Sequence, residues 1–86
     1  MNEIKSSKAS FELMKGTQKA WNESYSDREG DIPSICFKVG FRMCFERTIK
    51  NKMTALQFDW DHWQPRRSGQ KPYKEFIDGY TKAAEL

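Results

Sequence analysis

The chain has 86 residues, with 15 Lys and Arg against 12 Asp and Glu, giving a net charge of +3 and a pI near 9.0. That length predicts one domain and excludes a large multi-motif enzyme. The mean hydropathy of −0.89 is low, but aromatic residues make up 14% of the chain, enough to build a small core and to argue against disorder. No run approaches the ~18 apolar residues of a membrane span. The opening Met-Asn-Glu-Ile-Lys-Ser-Ser-Lys has no apolar signal core, so the expected location is the cytoplasm and no membrane partner is expected.

In chain order, Ile4, Phe11, Met14, Trp21 and Tyr25 form a ladder broken by Gln18, which predicts an amphipathic helix over about residues 7–26. Gly30 and Pro33 then break the chain. From Ser34 to Glu46 apolar residues occupy every second position: Ile35, Phe37, Val39, Phe41, Met43 and Phe45. A period of two predicts a half-buried strand over about 34–47, with Gly40 as a natural bulge. Leu56, Phe58 and Trp60 alternate in the same way and predict a second strand over about 55–63. A turn at Asn51-Lys52 would set Phe45 against Phe58 and Arg42 against Asp61, and a register shifted by two residues would set Arg42 against Asp59 almost as well. After a Pro- and Gly-containing loop, Tyr73, Phe76, Ile77, Tyr80 and Ala84 share a helical stripe, predicting a helix over about 72–85. The expected fold is therefore α+β: a single helix–β-hairpin–helix domain (α-β-β-α), its hairpin packed on two amphipathic helices. Open strand edges would leave room for a second copy.

Charge is unevenly spread. Residues 32–53 carry five bases and one acid, whereas residues 1–31 and 54–86 are nearly balanced. Lys38, Arg42, Lys50 and Lys52 would make a basic hairpin face, with Arg47 nearby, and Arg66, Arg67 and Lys71 a basic loop. Such cations suit phosphates or an acidic protein surface; their plain role is a solvated face with Arg42 paired to an Asp. On a strand Trp60 and Trp63 would point to opposite faces, which makes Trp63, beside Pro65 and Arg66, a candidate interface anchor.

Catalytic and metal chemistry are poorly supplied. Asp59, Asp61 and the lone His62 cluster, but no nucleophile is marked to complete a site, and the plain reading is a charged strand end. Cys36 and Cys44, eight residues apart, lie too far apart on one strand or one helix to bridge, and read as reduced thiols. With one His and two Cys a structural zinc site cannot be closed. No cofactor, no metal and no enzymatic activity are expected.

Two resemblances accompany these readings. Ile35-Cys-Phe-Lys-Val-Gly-Phe41 followed by Phe45-Glu-Arg-Thr-Ile-Lys50 resembles the second helix-turn-helix of AraC-type regulators, though with a shorter intervening segment. That resemblance implies a small DNA-binding regulator using residues 34–53. The chain as a whole, with its Glu75-Phe-Ile-Asp-Gly-Tyr80 tail, resembles in character the small accessory proteins of temperate bacteriophages and other mobile elements. This second likeness implies a non-enzymatic protein that binds stoichiometrically to a larger complex, such as a host nucleic-acid-processing or defence machine, and inhibits or modulates it. Lys38, Arg42, Lys50, Lys52, Trp63, Arg66 and Arg67 are the expected partner-binding residues.

Overall fold

In the computed structural model the backbone is described for residues 2–64 and 70–86, and side chains for residues 11–64 and 73–86. Four α-helices follow in order: α1 (Asn2–Ser24), α2 (Ile35–Phe45), α3 (Leu56–Trp63) and α4 (Gln70–Ala84). Short 3-10 turns at Ser26–Arg28 and Lys52–Ala55 punctuate the connections. The two terminal helices overlap the expected ones, α1 starting earlier than the expected 7–26 and α4 lying close to 72–85. Neither expected strand forms, and the described residues contain no sheet. The α+β expectation is thus replaced by an all-helical fold, and the strand edges that would have recruited a second copy do not exist among these residues.

The reason lies in which residues fill the core. The face of α2 that goes inward is Cys36, Phe37, Gly40, Phe41 and Cys44, a stripe at i, i+1, i+4, i+5 and i+8. Three of these are small or thiol-bearing residues that a period-two reading counts as spacers. On the helix Ile35, the first residue of the apparent alternation, is 66% exposed. Ser34 starts α2: its Oγ accepts from the Phe37 backbone N–H at 3.3 Å and donates to Glu75 Oε1 at 2.5 Å.

Among the described residues the α2–α4 contact is the closest between helices. A Cβ added at Gly40 would lie 2.3 Å from the Phe76 carbonyl oxygen, and one added at Gly79 would lie 2.3 Å from that of Phe37. Each glycine lets the opposite backbone approach to a distance that no side chain would permit. Around this crossing Phe37, Phe41, Phe76 and Tyr80 are fully buried. From α1, Ala20 and Trp21 complete the core, with Trp21 edge-on to Phe37 at 5.3 Å. The Phe41 ring lies over Gly16, where an added Cβ would sit 3.3 Å from it.

Helix α3 shows the same correction on a smaller scale. Leu56, Trp60 and Trp63, at i, i+4 and i+7, pack on the core, while Phe58 is 67% exposed. Trp60 and Trp63 share one face of the helix: Trp63 stacks on Phe76 at 5.8 Å and Trp60 meets it edge-on at 5.2 Å.

Candidate functional site

Two polar networks hold the helices in place. In the first, Arg47, just beyond α2, grips both carboxylate oxygens of the buried Asp59 on α3, and the Tyr80 hydroxyl of α4 donates to Asp59 Oδ2 at 2.6 Å. Burial works against the Asp59 carboxylate, but hydrogen bonds from Arg47 and Tyr80, with the Arg47 charge, outweigh it and hold its pKa below the ordinary value. Burial and the same carboxylate push the Tyr80 phenol far above its usual range. Burial also raises the nearby Cys44 thiol to about 11, so it stays protonated at neutral pH. In the second network the Tyr25 hydroxyl donates to Asp78, which Lys74 also contacts at 2.9 Å. Arg28 lies over the Trp21 and Tyr25 rings and is 3.7 Å from Glu75. Burial, then the hydrogen bond to Asp78, raises the Tyr25 phenol well above normal.

Of the Asp59, Asp61 and His62 cluster, only Asp59 belongs to these networks. Asp59 faces inward to Arg47 and Tyr80, while His62, one turn on, is exposed. Asp61 accepts from Gln57 on its own helix. Among the described residues no three His, Cys, Asp or Glu side chains gather to hold a metal ion.

Among the described residues a groove of about 600 Å³ lies open between α1 and α2. Leu13, Pro33 and Val39 form its apolar floor, and Met14, Ile32 and Ile35 stand 66–82% exposed around it. Thr17 and Gln18 line the α1 wall; Lys38 and Arg42 line the α2 wall. Both polar residues of α1 are already occupied: the Thr17 hydroxyl donates to the Leu13 carbonyl, and Gln18 to Asn22 and the Asp31 carbonyl. Arg42 faces Glu46 at 3.7 Å with both side chains largely in solvent. Among the described residues no carboxylate pairs with Lys38.

The residues expected to bind a partner therefore separate. Lys38 and Arg42 stand together, one turn apart on α2, at the groove. Lys50 and Lys52 lie in the connection between α2 and α3, outside the groove lining. Trp63 is half-buried on Phe76, which makes it a packing residue rather than a projecting one. Arg66 and Arg67, with Pro65, lie outside the described residues. Met14, Ile32 and Ile35 were missed as site residues because an exposed apolar residue is indistinguishable in sequence from a core one. Residues 45–50 do not form the second helix that an AraC-like motif needs, since α2 runs unbroken through Gly40 and ends at Phe45.

No helix among the described residues is long and apolar enough to cross a membrane. No protein-family model, curated protein or solved structure matches the chain.

Proposed function

We propose that this chain is a non-enzymatic binding protein that docks stoichiometrically on a larger protein or protein complex, modulating or inhibiting it, with the α1–α2 groove as its contact surface. The observation that carries this reading is the groove itself: Met14, Ile32 and Ile35 expose apolar area beside an open apolar floor. Contiguous apolar surface left in water by a small domain is characteristic of an interaction site. The two cations at its α2 edge, Lys38 without a carboxylate among the described residues and Arg42 with only the solvent-exposed Glu46, favour an acidic protein surface as occupant. The nucleic-acid-processing and defence machines engaged by the accessory proteins that this sequence resembles are the first targets to try.

The test is an affinity capture from bacterial lysate with the tagged protein and with its Met14→Glu/Ile35→Glu variant, each with and without nuclease. One stoichiometric complex that survives nuclease and is lost in the variant supports the proposal. Capture indifferent to the variant overturns the groove as the contact. Capture abolished by nuclease would favour direct nucleic-acid binding, which should then weaken steeply between low and physiological salt.

A further inference from the structure

We infer that the groove receives an amphipathic α-helix of the partner, about two turns in contact, with carboxylates spaced one turn apart along the edge that faces α2. This deepens the proposed function and rests on it. Three observations lead there.

The first is shape. Two helical walls flank the groove, and the α2 wall runs from Ile35 to Arg42, eight residues with a rise of about 10 Å. That length matches apolar anchors at i, i+3 or i+4, and i+7 on an incoming helix.

The second is backbone chemistry. An extended peptide brings unpaired N–H and C=O groups with it and normally satisfies them on an exposed strand edge. The described residues offer no strand, and the polar side chains of the α1 wall, Thr17 and Gln18, are already bonded. A helix arrives with its backbone groups satisfied internally, so it covers this floor without stranding polar groups.

The third is charge. The α2 wall carries Lys38 and Arg42 four residues apart, while among the described side chains the α1 wall carries no charge. Carboxylates on the partner helix at the same spacing face both cations at once, and one of them replaces the solvent-exposed Glu46 as the partner of Arg42. The asymmetry also fixes the side: the acidic edge lies over α2 and a neutral polar edge over α1.

The probe is a displayed library of random peptides of about 16 residues, long enough for some four helical turns, selected against the full chain. Parallel selections use the Lys38→Glu/Arg42→Glu variant and the Val39→Glu variant. Wild type is expected to enrich sequences with apolar residues at helical spacing and Asp or Glu one turn apart beside them. The charge-reversed variant should enrich Lys and Arg at those positions and bind the wild-type winners about tenfold less tightly. Val39→Glu should enrich neither class. Peptides without helical periodicity, peptides whose charge ignores the reversal, or no enrichment at all would each overturn the inference. So would sedimentation showing that the groove is closed by a second copy of the chain. Groove-dependent capture from lysate alongside non-acidic or non-helical winners would overturn this inference alone and leave the proposed function standing.

Discussion

The two faces of α2 both carry large apolar side chains and end in opposite environments. Inward, Phe37, Gly40, Phe41 and Cys44 are buried so closely that the backbones of α2 and α4 nearly touch. Outward, Ile35 and Val39 alternate with Lys38 and Arg42 over an open groove. Apolar character alone does not distinguish the faces. The difference is the small residue: a glycine on each helix lets α4 come down on one side of α2, and nothing comparable brings α1 down on the other. The inner face thus holds the fold together, while the outer face is left for something else.

Substituting the helix glycines is the strongest way to break this distinction. Gly79→Ala or Gly40→Ala drives a methyl group into a backbone carbonyl, which cannot swing aside as a side chain would. The helices must separate and loosen the aromatic core. We expect a loss of about 3 kcal/mol or more, a large part of the roughly 5–15 kcal/mol typical of small domains, read from urea unfolding. Gly16→Ala is the control. There the nearest atom is the far edge of the Phe41 ring, which can give way, and alanine gains about 1 kcal/mol of helix propensity. That variant should lie within about 1 kcal/mol of the parent.

The polar ties come next. Asp59→Ala leaves Arg47 and the buried Tyr80 hydroxyl without their acceptor and should cost about 2 kcal/mol. Because the folded carboxylate is held below its ordinary pKa, its contribution is present above about pH 4 and lost as the pH falls through the lowered value. Acid unfolding of Asp59→Asn should therefore lack that component, and an unchanged acid limb would show that the carboxylate is not ionised in the folded chain. Tyr25→Phe removes a single bond to an Asp78 that keeps Lys74, so about 1 kcal/mol is expected. Both raised phenols stabilise the neutral form, so their contribution is full below pH 10 and is lost as the pH rises further. Absorbance titration should show Tyr25 and Tyr80 ionising late, each disappearing in its own Phe variant.

Parts of this structure could be read in the sequence and parts could not, for definable reasons. The stripe of Tyr73, Phe76, Ile77, Tyr80 and Ala84 predicts α4 because large apolar residues mark its buried face. The same method fails at α2, where Cys36, Gly40 and Cys44 are core residues that pattern reading counts as polar spacers. The repeat Cys36-Phe37, Gly40-Phe41, Cys44-Phe45, one pair every four residues, is the helical signal that was there to be found. In α1 the expected ladder places Phe11 and Met14 inward; they are 60% and 68% exposed, and Thr17 and Ala20 take their place in the core. The helix was legible, but its buried face was not, since beside Trp21 the positions that go inward are the polar Thr17 and the small Ala20, which pattern reading passes over. Of the site, Lys38 and Arg42 could be found as charges. The apolar part of the groove depends on two helices failing to close, which no local pattern encodes.

The smallest expected effect on stability tests the outer face most directly. Ile35→Ser and Met14→Ser remove apolar side chains already mostly in water. Burial lost on substitution is slight, and surface changes of this kind fall within about 0.5 kcal/mol. If denaturation midpoints hold while partner capture disappears, the exposed apolar area is there for binding. If either variant loses 2 kcal/mol or more, on the scale of a buried side chain, that side chain is covered in the free protein. The outer face of α2 would then belong to the core, and the groove would be closed in solution.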